Sequence, residues 1–234
     1  MIQASSLRKE FGSTVSVNDI SFSLPTGGVV GLLGPNGAGK TTTMRLLTTY
    51  LPPSAGSATV AGYDIIKEPE KVRASIGYLP ETPPLYPEMT VQEYLHFVGK
   101  LRGLRGKKLK ASLSTAVDKC FIGEVQSKLC SEISKGYKQR VGLAQAIIHS
   151  PPVIILDEPT SGLDPAQIIK IRELIRSLGE DHTVILSTHI LPEVIETCSH
   201  VLIIAKGSLV QDTPLMELTA KESLEKRFLE LVSK

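Results

Sequence analysis

Nine residues, Gly34-Pro35-Asn36-Gly37-Ala38-Gly39-Lys40-Thr41-Thr42, have the types and spacing needed to hold a chain of phosphates. Two glycines bracket four residues and Lys-Thr follows, which is the P-loop pattern. Backbone N–H groups must curl around phosphate oxygens, and glycine permits the close approach and positive φ angles this demands. A helix expected from Met44-Arg45-Leu46-Leu47 would aim its unpaired N–H groups and partial positive charge at the same anion. Lys40 adds a full charge toward the β- and γ-phosphates, and the Thr41 hydroxyl is placed to hold Mg²⁺.

Asp157-Glu158 is the second reactive pair. It ends the apolar run Val153-Ile154-Ile155-Leu156, and ligands of open α/β sheets bind beyond such strand ends. Beside a P-loop, Asp157 would reach Mg²⁺ through water and Glu158 would polarise the attacking water as general base. His189, after the strand Thr183-Val184-Ile185-Leu186, is placed to bond the γ-phosphate and that water. His96, His149, His182 and His200 lack comparable placement and read as structural. Phe11 either packs in the core or, on a loop ahead of the phosphate loop, stacks on a base.

The elements that must position these groups follow from pattern. Residues 2–7 and 17–24 alternate as strands, and Val29–Leu33 is a buried strand running into the phosphate loop. Ser57–Ile65 and Ser75–Leu79 read as further strands. The stretch from Pro80 to Met89 holds four prolines and cannot be helical; with Leu85 and Tyr86 it is either a docking loop or a stiff connector. Residues 90–118 are helical with Thr90 as cap, and the basic cluster from Lys100 to Lys110 reads as a solvated turn between two helices. Ser134 opens a helix to 149, and Asp164-Pro165 opens one to about 179. Pro192–Thr197 is a short helix, 200–211 is a hairpin turning at Lys206-Gly207, and a last helix runs from about 214. Continuous apolar strands flanked by helices predict a parallel sheet buried on both faces.

At 234 residues, 41% apolar and 21% charged, the composition is that of an ordinary globular protein with a full core. A formal charge of +2 gives no argument for nucleic acid. No apolar run approaches the roughly 20 residues that span a bilayer, and the start lacks a signal-peptide layout. The three cysteines, Cys120, Cys130 and Cys198, form no CxxC pair, which disfavours disulfides and zinc and predicts a reducing cytosol.

In order along the chain, Gly34–Thr42, Ile133-Ser134-Lys135-Gly136-Tyr137-Lys138-Gln139-Arg140, Ile154–Asp164 and Ser187-Thr188-His189 resemble the ATP-binding subunits of ABC transporters. The resemblance spans essentially the whole chain. It implies an α/β fold: a P-loop NTPase core with a parallel-rich sheet (about 1–80 and 150–213), an N-terminal antiparallel β subdomain, an inserted α-helical subdomain (about 82–149) and a C-terminal helix (about 214–234). It implies ATP and Mg²⁺ as cofactors, and it places Phe11 at the adenine-stacking position. Ser134 and Gly136 fall where the family signature contacts a second molecule's ATP, and Ser161–Asp164 falls on its D-loop, with Asp164 counted among the nucleotide contacts. The implied assembly is a head-to-tail pair enclosing two ATP molecules, made of like or unlike ATPase subunits, that drives separate transmembrane permeases. Such a subunit is cytoplasmic and lies on the inner face of the cell membrane.

Two departures stand out. Where the family usually has Gln after the strand Ser75–Leu79, this chain has Glu81, which joins Thr41 and Asp157 as a Mg²⁺ ligand and Glu158 and His189 as a catalytic group. A carboxylate binds Mg²⁺ more strongly but repels the γ-phosphate, so altered metal dependence and turnover are expected. In the signature, Lys135 and Tyr137 replace Gly and Gln; Lys135 either strengthens phosphate binding or faces solvent. These spellings, with Tyr78-Leu79-Pro80-Glu81 and Met89-Thr90-Val91, resemble the branch serving ABC-2-type exporters, including the gliding-motility group. The competing reading is a soluble non-transport ABC ATPase of cofactor assembly or DNA-related work. A P-loop kinase would have no use for Ser134-Lys135-Gly136 or Ser161–Asp164.

Overall fold

The computed structural model describes residues 1–219 and 223–232. Alternating apolar residues near the start build a hairpin of β1 (Ile2–Phe11) and β2 (Thr14–Leu24), so Phe11 closes a strand rather than lying between two. After a turn the chain enters β3 (Gly28–Leu33), then the phosphate loop and α1 (Lys40–Leu47). The strand expected over Ser57–Ile65 is instead β4 (Ala55–Val60) and β5 (Tyr63–Asp64), folded back at Ala61-Gly62. β2, β1, β4 and β5 form an antiparallel sheet in that order.

A helix the pattern did not announce, α2 (Pro69–Ser75), begins with Pro69 at its first turn, where a missing N–H costs nothing, and leads into β6 (Ile76–Leu79). Residues 80–90 are not helical, but Leu85 packs against the core, leaving Tyr86 as the exposed apolar group of that loop. Then comes α3 (Val91–Leu101), opened by a reciprocal cap: Glu93 N–H donates to Thr90 Oγ1 at 3.2 Å and Thr90 N–H to Glu93 Oε2 at 2.9 Å. The turn before α4 (Gly106–Lys119) is shorter than the basic run, so Lys107, Lys108 and Lys110 stand on the helix, not in a loop. A 3₁₀ turn at Gly123–Val125 precedes α5 (Lys135–Ile147).

The remaining elements alternate as expected: β7 (Val153–Asp157), α6 (Pro165–Asp181), β8 (Thr183–Thr188), α7 (Leu191–Thr197), β9 (His200–Ala205) and β10 (Ser208–Pro214). The final helix from about 214 is two helices, α8 (Leu215–Thr219) and α9 (Leu224–Val232); residues 220–222 and 233–234 of that stretch lie outside the described residues.

The second sheet runs β10-β9-β3-β8-β7-β6 and is parallel except for the β10 edge. Its inner strands β9, β3, β8 and β7 are buried on both faces, which explains their largely apolar spelling, whereas β10 at the edge is partly exposed. Ile154, Leu156, Val184 and Leu186 point to the helices, while Val153, Ile155 and Ile185 point to α1 and the antiparallel sheet. Gly77 is required by packing: a Cβ there would sit 1.9 Å from the Ala146 carbonyl, so only glycine lets α5 lie this close to β6. Because β3, β8, β7 and β6 are parallel and in register, their C-terminal ends share one edge. From that edge emerge the phosphate loop, Thr188-His189, Asp157-Glu158 and the loop holding Glu81. The described residues include no helix long and apolar enough to cross a membrane, and the three cysteines are buried free thiols.

Candidate functional site

The phosphate loop curls as its glycines predict. Gly39 has φ 105°, and a Cβ there would lie 2.5 Å from the Ser16 carbonyl, so no other residue fits. Ala38 is buried, and its carbonyl takes the Gly207 N–H at 3.0 Å, which pins the loop to the β9–β10 turn. Asn36, Gly37, Gly39, Lys40, Thr41 and Thr42 line a cavity of about 390 Å³, and Glu81, Glu158 and His189 face them across it. The N-terminus of α1 points into this cavity, giving it a positive end suited to an anion.

Lys40 is 7% exposed, with its ammonium donating to the Gly34 carbonyl at 2.8 Å and the Pro35 carbonyl at 3.2 Å. Burial pulls its pKa below the usual lysine range, while the Glu158, Asp157 and Glu81 carboxylates hold it up. Those opposing effects describe a cation kept in a tight site by three nearby carboxylates. Asp157, 1% exposed, accepts from Ser187 Oγ and, at 3.4 Å, from Thr41 Oγ1 through the same oxygen. Its other oxygen, Oδ2, is buried with no protein partner. An orphaned carboxylate oxygen beside a threonine hydroxyl suits a hard divalent cation. Among the described residues no three His, Cys, Asp or Glu side chains cluster as a metal cage.

Glu158 and His189, whose Nδ1 lies 3.0 Å from the accepting Glu158 Oε1, form a pair at the cavity. Glu158 has φ 50°, a left-handed conformation costly for a side chain with a Cβ. Three bonds hold it there: its N–H to the Ser187 carbonyl at 3.1 Å, and its carbonyl to Ser161 N–H at 3.1 Å and Gln139 Nε2 at 3.1 Å.

Gly34, Pro35 and Ala38 belong to the loop without lining this cavity, and four further expected nucleotide contacts lie outside it. Phe11 is 47% exposed with the Lys9 ammonium 5.3 Å above its ring, so it is a free aromatic face rather than a core residue. Ser134 caps α5, taking the Tyr137 N–H at 3.3 Å. Gly136 packs on Gln167 and Leu163, and Asp164 caps α6, taking the Gln167 N–H at 2.9 Å. Lys135 is exposed, with its aliphatic stem against Gly162.

Sequence reasoning passed over several residues that the structure brings in. Ser16, 2.8 Å from Thr42 Oγ1, lines the cavity, as does Ser161 of the expected D-loop stretch. Gln139 reaches Glu158 through the fold, and only its repeated polarity on a buried helix face could have hinted at it. Glu193 on α7 is the largest surprise. It is fully buried, and neither carboxyl oxygen meets hydrogen-bond geometry with a protein partner, although the Thr188 and Thr160 hydroxyls are near. Burial pushes its pKa up; Thr188, Thr160 and Arg172 pull the other way, and Glu158 adds to the rise. The other ionisable neighbour, Cys198, is a buried thiol.

A carboxyl raised in the fold binds more protons folded than unfolded, so it lowers stability as pH climbs above the ordinary value of 4.5. Glu193→Gln removes that titration. Its melting temperature should therefore rise relative to the parent on going from acid to mildly alkaline buffer, read by thermal denaturation across pH. A difference independent of pH would show that Glu193 is charged in the folded protein.

A model of the family described as "ABC transporter" matches residues 17–161. A shorter match, to a family described as an AAA domain and putative AbiEii toxin, covers 130–196 and leaves out the phosphate loop. The chain is 38% identical to the ABC transporter ATP-binding protein NatA of Bacillus subtilis, over 90% of this chain and 86% of that one. It is 36% identical to the bacitracin transport ATP-binding protein BcrA of Bacillus licheniformis, over 93% of this chain and 71% of that one. A solved structure described as an ATP-binding subunit of an ABC transporter superposes with a TM-score of 0.89 at 29% identity, covering 99% of both chains.

Proposed function

Since the chain belongs to the ATP-binding subunits of ABC transporters, we propose that it hydrolyses ATP as half of a head-to-tail pair and thereby drives separate membrane-spanning subunits of an ABC-2-type exporter. One observation carries this reading. The cavity gathers the phosphate loop, Glu81, Glu158 and His189, whereas Ser134, Gly136 and Asp164 of the same chain stand outside it. One chain therefore holds two halves of two different sites, and a two-fold pair completes both.

Within each site the phosphate loop and Lys40 bind the β- and γ-phosphates, and Phe11 offers its open face to adenine. Thr41 Oγ1 and the orphaned Asp157 oxygen would hold Mg²⁺, with Glu81 facing them; the ion's role is to neutralise charge developing on the phosphates. Glu158 orients and deprotonates the attacking water, and His189, bonded to Glu158, fixes its direction. The partner's Ser134 and Gly136 close the γ-phosphate side.

A groove of about 780 Å³ beside β6 is the candidate seat for the membrane partner. Tyr50, Tyr78, Tyr86, Phe97 and Leu101 line it, with Arg73 and Arg102 at its edge. Tyr86 lies edge-on to Tyr94 and Phe97, at 6.1 and 5.7 Å between ring centroids, so the docking loop is stiffened from beneath. The subunit would thus sit against the inner face of the membrane through its partner. The test is affinity purification of tagged chain from native membranes in mild detergent. An integral membrane protein should co-elute with wild type and be lost with Tyr86→Asp. Recovery of the chain from those membranes without any such protein would overturn the transport reading.

A further inference from the structure

The run from Lys100 to Lys110 has no part in the site above, yet it holds six of the chain's 26 lysines and arginines in a chain whose formal charge is only +2. The rest of the protein therefore carries more carboxylates than cations. No Asp or Glu occurs between Tyr94 and Val117. Two of the six are used internally: Arg102 donates to the Arg73 carbonyl at 2.6 Å, and Arg105 closes the turn by donating to the Lys100 and Leu104 carbonyls at 2.6 and 2.8 Å. Lys100, Lys107, Lys108 and Lys110 are exposed, and among the described residues none has a carboxylate partner.

Three of the six border a hollow, and Lys107 and Lys108 follow on the same first turns of α4. Lys100, Arg105 and Lys110 line a cavity of about 400 Å³ whose floor includes Leu109 and Leu113. Leu101, 69% exposed, follows Lys100 in the chain, and Leu101 and Arg102 line the partner groove. No Phe, Tyr or Trp lines the hollow, so it lacks the stacking platform that single-stranded nucleic acid uses. Cations around an apolar floor match a phospholipid surface, where an anionic headgroup lies above hydrocarbon.

We propose that the α3–α4 turn and the first turns of α4 bind anionic phospholipid headgroups directly, giving the protein a second membrane contact beside its protein partner. Only the orientation of this face toward the membrane rests on the transporter reading. Basic residues near an anionic leaflet attract additively, and salt screens the attraction.

The experiment is co-sedimentation of the purified full chain, with no membrane protein present, on vesicles of phosphatidylcholine alone or mixed with phosphatidylglycerol. Wild type should bind the mixed vesicles only, and less as salt increases. Lys107→Gln/Lys108→Gln/Lys110→Gln should lose about 100-fold in partitioning while its basal ATPase is unchanged, and the corresponding triple arginine variant should retain binding. Equal binding to neutral vesicles, or binding by the glutamine variant equal to wild type, overturns the proposal. Tighter binding of an RNA oligonucleotide than of vesicles overturns it in favour of nucleic acid. None of these failures touches the ATPase assignment, which the same samples report separately.

Discussion

Glu158→Gln lowers steady-state ATP hydrolysis by about 10²–10⁴-fold and leaves an ATP-bound dimer that survives gel filtration. The amide keeps the size of the carboxylate and can still bond His189, 3.0 Å away in the parent, but it cannot take a proton from water. Binding persists, because Lys40, Thr41 and the loop amides are untouched. With binding intact and hydrolysis blocked, the bridging nucleotide holds the pair together. Retention of activity within tenfold, or a monomer in saturating ATP, would remove Glu158 from the role of base. Glu81→Gln in the same assay should change the Mg²⁺ titration instead, since Glu81 faces the cavity that Thr41 also lines.

Gly136→Asp and Lys40→Ala, each inactive alone, should recover roughly a quarter of wild-type hydrolysis when mixed, as expected for random pairing of two-fold partners. A mixed pair has one site in which an intact Lys40 from one chain meets an intact Ser134-Gly136 from the other. Gly136 is a tight place for a side chain, since a Cβ would lie 2.9 Å from Gln167 Oε1, the movable end of its side chain, and 3.3 Å from Leu163, and the added carboxylate would repel phosphate. A melting temperature near wild type separates loss of contact from loss of fold. No recovery on mixing two folded variants would mean that each chain completes its own site.

What the sequence disclosed follows how local each feature is. The phosphate loop, the Asp157-Glu158 strand end and the caps at Thr90, Ser134 and Asp164 are spelled within a few neighbouring residues, and all occur where expected. The strand expected over Ser57–Ile65 breaks where the apolar alternation of Ala58 and Val60 slips phase at Ala61-Gly62 and resumes at Tyr63 and Ile65, both turn residues having positive φ. The lysines of α4 were assigned to a turn because charge and glycine outweighed a weak helical period. Gln139, Ser16 and Glu193 were invisible because their partners are distant in sequence. The buried carboxyl of Glu193 could not be told from an ordinary surface glutamate on a short helix until α6 and the strand ends covered it.

The bond from Gln139 to the Glu158 carbonyl has a mechanical meaning. The helix that carries it, Lys135–Ile147, starts at the Ser134 cap proposed to meet a neighbour's phosphate, and one turn later grips the backbone of Glu158, the proposed base of this chain's own site. A push on one end of such a rod is felt where Glu158 is held in a costly backbone conformation. In the proposed pair, a phosphate seated on the cap of one site would thus be joined to the backbone of the other site's carboxylate by a single helix and one hydrogen bond.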